Sequence, residues 1–262
     1  VGVRKYNLKY AFNEEEEAEY VRCKNSIFYF AEKYCQILTD EDWRELQLRD
    51  YQIELLHNYM NERFNIVHSS RQMGISVVNA VLLLWLLTFH TEYTILFVDF
   101  KICNGVEQLA KVKEMYKRLP FFLKKGVIRW NKKSIKFEDG SRLNIESGVP
   151  HMALNYEVDL LYLNEFSRLP TDVYRNLIPT ISSYPESRVI ITSNNTNELF
   201  ETLLTGAEKP EGDPGKNMFK ALTLPWYVVK DRDEQWKQEI LKFLNEKEFQ
   251  KECKRKVEKI QP

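Results

Sequence analysis

The apolar positions of this chain follow two rhythms in turn. Up to about residue 62 they recur at the three-to-four-residue spacing of amphipathic helices. Asn13 stands before "EEEEAEY", a capping residue followed by acids that suit a helix start. "SIFYFAEKYCQIL" (26–38) repeats the helical spacing behind Ser26, and "LRDYQIELLHNYMNE" (48–62) repeats it behind Asp50. Beyond that, short continuous apolar runs alternate with helical segments. The runs at 64–68, 93–100, 159–166 and 188–194 predict buried strands. Segments 76–89, 104–118, 171–178 and 197–205 predict the helices between them. "SIKFEDGSRLNIES" (134–147) alternates apolar and polar about Asp139-Gly140, the signature of a hairpin. "GAEKPEGDPG" (206–215) predicts a loop, 218–226 a last strand, and the chain from Asp231 a helical tail. Strands apolar on both faces, alternating with helices, imply an α/β fold: a mostly parallel sheet flanked by helices. A helical N-terminal lobe (1–48) precedes that core (49–262).

Composition narrows the class. With 262 residues, 44% hydrophobic and 13% aromatic, the chain has ample material for a core and none of the signature of disorder. A formal net charge of +0 gives no overall field to gather DNA or an anionic membrane. The apolar run Ala80–Phe89 is about half the length of a membrane span. The first ten residues lack the apolar segment of a signal peptide. Cys23, Cys35, Cys103 and Cys253 are far apart and in no metal-ligand spacing, which predicts reduced thiols in a cytoplasmic protein. One local charge imbalance stands out. Between Lys101 and Lys136 there are eleven Lys or Arg against two acids, Glu107 and Glu114. Such a stretch, which includes Lys124, Lys125, Lys132 and Lys133, is either a solvated face or a surface for phosphate backbones.

Three stretches carry candidate chemistry. "SSRQMGIS" (69–76) links an apolar strand to an apolar helix, as a phosphate loop does. Such loops aim backbone N–H groups and a helix N-terminus at an anion. The pattern G-x-x-x-x-G-K-[ST] is kept at Gly74 and Ser76, but Ser69 replaces the first glycine and Ile75 the lysine. "DLLYLNEF" (159–166) has the shape of a Walker B strand, with Asn164 at the metal-binding acid and Glu165 at the water-polarising one. "RVIITSN" (188–194) ends a buried strand on Thr192, Ser193 and Asn194.

In this order, the stretches resemble the ATPase domain of large terminase subunits, the DNA-packaging motors of tailed bacteriophages, particularly T-even-like ones. "SRQMGIS" is similar to the family's S-R-Q-x-G-K-T loop. "RDYQ" (49–52) matches its upstream adenine motif, "LYLNEFS" its x-Y-I-D-E-x-A strand, and "IITSNNTN" its I-I-T-T-T-x-N coupling motif. Residues 119–143 and "EFQKE" (248–252) also look like family segments, so the likeness spans almost the whole chain.

The resemblance implies a P-loop fold, ATP with Mg²⁺ as cofactors, and a place in an infected host cell. It implies duplex DNA, a portal, other terminase subunits and a homo-oligomeric ring as partners, and no membrane. It implies adenine contact by Gln52 and a phosphate cradle of Ser69, Ser70, Arg71, Gln72, Met73, Gly74, Ile75 and Ser76. Ser76 would be the Mg²⁺ hydroxyl, Arg71 the γ-phosphate arginine and Glu165 the catalytic base. Asn164 would stand by the metal, and Thr192, Ser193 and Asn194 would couple hydrolysis to movement. The family's nuclease domain has no counterpart in this sequence. Ile75 and Asn164 remove the lysine and the metal carboxylate. A lost charged hydrogen bond of about 1.5–3 kcal/mol weakens binding roughly ten- to a hundredfold, and the loss in rate would be larger. Two readings stand open: a motor ATPase with impaired hydrolysis, or a pseudo-ATPase kept as a binding and assembly module. On sequence alone, Ile75→Lys with Asn164→Asp should restore the site.

Overall fold

The computed structural model describes residues 2–39, 42–148, 157–182, 184–246 and 248–249, so most of "EFQKE" lies outside the described residues. Helix α1 (Glu14–Asn25) opens on Asn13, whose side chain accepts from the Glu16 N–H at 2.9 Å while the Glu16 carboxylate accepts from the Asn13 N–H at 3.1 Å. Helix α2 (Ile27–Tyr34) opens on Ser26, which accepts from the Tyr29 N–H. It stops four residues short of its sequence expectation. The chain turns at Cys35 into β1 (Gln36–Leu38), paired antiparallel with β2 (Trp43–Glu45). "QIL" fits either rhythm over so short a run, and pairing with a distant segment decides it. Helix α3 (Asp50–Asn61) begins one residue earlier than a cap at Asp50 allows. The cap position is Arg49, and its N–H is accepted by Gln52 Oε1 at 3.1 Å.

The α/β core follows in the anticipated order. It comprises β3 (Phe64–Ser69), α4 (Ile75–Phe89), β4 (Thr94–Asp99), α5 (Ile102–Arg118), β5 (Val127–Asn131), β6 (Ser134–Phe137) and β7 (Arg142–Ser147). Then come β8 (Leu160–Asn164), α6 (Thr171–Ser182), β9 (Arg188–Ser193), α7 (Glu198–Glu208), β10 (Lys220–Leu224) and α8 (Glu234–Ile240). The sheet order is β10-β3-β9-β8-β4-β7-β6-β5. The strands from β10 to β7 run parallel, and β7, β6 and β5 form an antiparallel meander. Strand β5 was not anticipated, because its pattern of partly exposed residues carries no clean alternation. Helix α7 reaches Glu208, three residues into the expected loop, where Asn217 donates to the Leu203 carbonyl at 2.7 Å and braces the last turn.

Alternation along the strands sorts the core into two layers. Val67, Ile95, Phe97, Leu160, Tyr162 and Ile190 face α1 to α5. Ile66, Leu96, Val98, Leu161, Leu163, Val189 and Ile191 face α6 and α7. Helix α4 is buried continuously from Val78 to Phe89, which explains an apolar run without an amphipathic face. No helix among the described residues is long and apolar enough to cross a membrane. The N-terminal helices share the α4 core through Cys23, Ile27 and Phe30, and Trp85 Nε1 donates to the Cys23 carbonyl at 2.9 Å. Cys23, Cys35 and Cys103 are free thiols, and Cys253 lies outside the described residues.

Glu19 ties α1 to α2. Burial pushes its carboxyl up, but donation from Lys33, Tyr34 and Tyr29 overcomes this and holds it down at about 2. A depressed carboxyl stabilises the fold above its unfolded value and loses that contribution as pH falls through the folded one. Acid titration by circular dichroism should therefore show the parent losing stability between about pH 4.5 and 2. Glu19→Gln should flatten that part of the profile. An unchanged profile would remove Glu19 from the account.

Candidate functional site

The C-terminal ends of β3, β8 and β9 meet at one cleft of about 200 Å³. It is lined by Ser69, Ser70, Gln72 to Ser76, Asn79, Gln108, Asn164, Glu165 and Thr192 to Asn194. Ligands in parallel sheets bind at this end of the strands. A larger cavity, about 600 Å³ around Thr94, Arg142 and Asp159, lies at the opposite end of the strands, away from the 69–76 loop, Asn164-Glu165 and Thr192 to Asn194. The strand bearing Asn164 is not adjacent to β3, because β9 runs between them. That places Thr192 to Asn194 in the middle of the site.

The loop is built for a tight turn. Gly74 has φ +71° and caps α4, a left-handed position that a Cβ would strain. The amides that open α4 have no acceptors within the helix. Gln72 (φ 57°) and Glu165 (φ 49°) are also left-handed, and non-glycine residues are held there only by their surroundings. The holding groups are visible. Tyr51 Oη donates to the Met73 carbonyl at 2.9 Å, and Gln52 Nε2 donates to the same oxygen at 3.3 Å. Arg232 donates to the carbonyls of Arg71 and Gln72, both at 3.2 Å, while stacking over Trp236. Gln52 is thus buried against the loop, with its amide engaged by Arg49 and Met73. Arg71 is exposed and is not among the residues lining the cleft.

Hydrogen bonds join the strand ends. Ser69 Oγ donates to Asn194 Oδ1 at 3.1 Å, and Asn194 Nδ2 donates to Glu165 Oε1 at 2.8 Å. Arg168 lies 3.6 Å from the other Glu165 oxygen. The carboxylate is therefore fixed beside the loop. Asn164 uses both ends of its amide: Oδ1 accepts from Thr192 Oγ1 at 2.9 Å, and Nδ2 donates to Asp99 Oδ2 at 2.6 Å. Asp99 is fully buried at the end of β4 and also accepts from the Lys101 N–H and Asn104 Nδ2, both at 2.9 Å. Ser76 Oγ accepts from Lys111 Nζ at 2.9 Å.

Two ligand requirements can be tested against these groups. The strained loop and the opening amides of α4 fit a phosphate group, with the Glu165 carboxylate fixed beside that place by Asn194. Mg²⁺ held through Ser76 and Asn164 does not fit. The hydroxyl already holds an ammonium, and the amide offers no charge and donates to a buried carboxylate.

Comparison with solved structures gives a consistent fold. A single-substitution form of the Thermus phage P74-26 large terminase ATPase domain aligns with TM-score 0.65 and 18% identity, covering 79% of this chain and 93% of that one. The chain has the fold of a phage terminase ATPase domain. Bacteriophage HK97 large terminase aligns with TM-score 0.63 and 15% identity, over 86% of this chain and 50% of that one. The ADP complex of a large terminase from a thermophilic bacteriophage aligns with TM-score 0.59 and 11% identity, over 79% and 52%. The chain spans about half the length of those two proteins. No family model matches the sequence.

Against this terminase-type frame, sequence reasoning missed Asp99, Lys111, Gln108, Asn79 and Arg232. Asp99 carries a legible signal, an acid closing a buried strand just as Glu165 closes "LYLNE". The others reach the site from helices or the tail, with no local pattern.

The basic stretch divides in two. Lys113 is buried on the Asn131 carbonyl, and Lys124 is buried on the carbonyls of Gly2 and Lys117 at 3.0 and 2.7 Å. Lys125 pairs with Asp139 and the His90 carbonyl. Burial pushes all three amines below the ordinary lysine value. These lysines hold the meander in place and are not a free basic face, contrary to their sequence reading. Arg129, Lys132 and Lys133 remain exposed at the β5–β6 turn.

Proposed function

We propose that this chain is the nucleotide-binding domain of a terminase-type DNA-packaging motor, and that it holds ATP by its phosphates without turning it over. The observation that carries the reading is the convergence of the 69–76 loop, the Asn164-Glu165 strand end and Thr192 to Asn194 around one cleft. That cleft suits a phosphate chain and is too small for a whole nucleotide, since ligand pockets usually span roughly 300–1,000 Å³. A groove of about 440 Å³ beside "RDYQ", lined by Gln47 to Tyr51, Val228, Lys230 and Asp231, offers room for the base and sugar. Gln52 then serves the base indirectly, by fixing the loop between the two spaces. The thermophilic-phage neighbour, solved with ADP, supports the nucleotide part of the reading.

The chain's own groups have separable tasks. The loop amides bind the anion, and Glu165, positioned by Asn194, orients a water at its end. Arg71 is the one loop cation able to swing toward a γ-phosphate, from outside the cleft lining. Fixed positive charge at the phosphates is what phosphoryl transfer needs most; Ile75 withholds it directly, and Asn164 withholds the carboxylate that would hold a metal there. The pseudo-ATPase reading is therefore favoured over a working motor. Duplex DNA, a portal, other terminase subunits and a ring of copies are partners proposed from the fold likeness. Calorimetric titration with ATP tests the reading: saturable binding is expected in the parent, and its absence would refute it.

The DNA part has its own test. Arg129→Glu with Lys132→Glu and Lys133→Glu should leave the melting temperature unchanged and abolish duplex binding at low salt. Removing the three cations one at a time should lower the salt slope by roughly 0.9 each. Unchanged binding would return this turn to an ordinary solvated face.

A further inference from the structure

Helix α5 sends two side chains, one turn apart, to the same residue of the loop. Gln108 Nε2 donates to the Ser76 carbonyl at 3.0 Å, and Lys111 Nζ donates to the Ser76 hydroxyl at 2.9 Å. Gln108 and Ser76 both line the cleft; Lys111 is not itself a lining residue, and its ammonium meets the cleft through the Ser76 hydroxyl. Among the described residues Lys111 has no carboxylate within ion-pair distance; Glu107, one turn back, acts on it only through space. The residue is exposed overall, so its head can leave Ser76 for an anion without breaking the core.

The electrostatics decide what this ammonium can do. The Ser76 hydroxyl is where a divalent cation would be shared, and an ammonium donating to it competes with that cation by charge and by position. The carboxylate that would balance a metal is an amide at 164, and its N–H is spent on Asp99. Positive charge reaches the phosphates more readily from α5 than from a metal. A second feature points to a ligand in the same place. Asn79, only 2% exposed, lines the cleft one turn into α4, and its Oδ1 has no hydrogen-bond partner among the described residues. A buried acceptor left open costs free energy, and a hydrated or protonated phosphate supplies the donor.

We propose that Lys111 is the phosphate-binding cation of this cleft, standing in for the lysine absent at 75, and that it makes the grip on a polyphosphate independent of Mg²⁺. The proposal rests on the nucleotide-site reading and adds the source of the charge. It is distinct from a swing of Arg71, which belongs to the loop itself and not to α5.

Calorimetry with ATP and with inorganic tripolyphosphate, each in EDTA and in Mg²⁺, separates the possibilities. The parent is expected to bind both probes in EDTA, with little gain from Mg²⁺. Lys111→Met should weaken both about ten- to a hundredfold while keeping the parent's melting temperature. Lys111→Arg, which keeps the charge, should stay near the parent. Adding Ile75→Lys to Lys111→Met should recover most of the loss, because a cation then returns at the usual place. Parent-like binding by Lys111→Met, or parent binding that requires Mg²⁺, would overturn the proposal and leave the nucleotide site standing. Failure of the parent to bind either probe would overturn both.

Discussion

Replacing Asn164 by aspartate is expected to destabilise this protein by about 3 kcal/mol at neutral pH, instead of repairing its metal site. Asn164 works because an amide both accepts and donates. It takes the Thr192 hydroxyl on one end and gives its N–H₂ to Asp99, 2.6 Å away, on the other. An aspartate keeps the first contact and turns the second into two carboxylates, one of them, Asp99, fully buried. Two such groups cannot both ionise at that separation, so one must take up a proton at a raised pKa. A raised carboxyl pKa binds more protons in the folded state, so the deficit should be small in acid and grow as pH rises above about 4. Urea unfolding across pH measures it. The decisive partner is Asp99→Asn. In the double variant the amide and the acid exchange places, so the amide on β4 donates to the carboxylate on β8 and the network is satisfied again. Most of the lost stability should return, a strongly non-additive cycle. Additive losses would show that the Asn164–Asp99 contact does not matter.

Gly74→Ala should remove nucleotide binding and about 2–3 kcal/mol of stability together. The backbone there is at φ +71°, and a left-handed residue with a Cβ costs about 1–2 kcal/mol. The new Cβ would also lie 2.6 Å from Gln52 Nε2, which must then leave the Met73 carbonyl. Losing that bond adds about 1 kcal/mol. The loop would lose its shape at the residue that turns it into α4. Thermal melts and ATP calorimetry on the same samples check both effects. Adding Gln52→Ala removes the collision and leaves the strain, so it should return part of the stability. Unaltered ATP affinity in Gly74→Ala would mean that the loop is not what holds the phosphates.

The fold was legible because burial writes itself into local rhythm. Continuous apolar runs such as "YTILFVDF" and "RVIITS" became central strands, and "EDGS" became the turn between β6 and β7. The rhythm was silent where pairing is between distant segments, as at β1–β2, or where a strand is half-exposed, as at β5. The site was legible to the extent that it sits on strand ends. Ser69, Gly74, Asn164, Glu165 and Thr192 to Asn194 could be read in order and are found together. The groups that give those residues their chemistry could not be read that way. Asp99 changes the meaning of Asn164 from a lost acid to a fixed bridge, and it lies 65 residues away. Lys111 reaches Ser76 across 35 residues, on a helix whose lysines look like any solvated face. For the same reason the two-residue repair suggested by sequence, Ile75→Lys with Asn164→Asp, needs Asp99→Asn as a third change. Lys124 and Lys125 give the converse lesson: a charge run counted along the chain says nothing about which ammonium groups point inward.

The chain is proposed to hold ATP by its phosphates in this cleft and to leave it intact. Equilibrium dialysis of the intact chain against γ-labelled ATP, at high protein concentration with duplex DNA present, tests it in one step. The expected result is label concentrated on the protein side and recovered as unhydrolysed ATP. Label released as free phosphate above the protein-free control, or label distributed equally across the membrane, would contradict it.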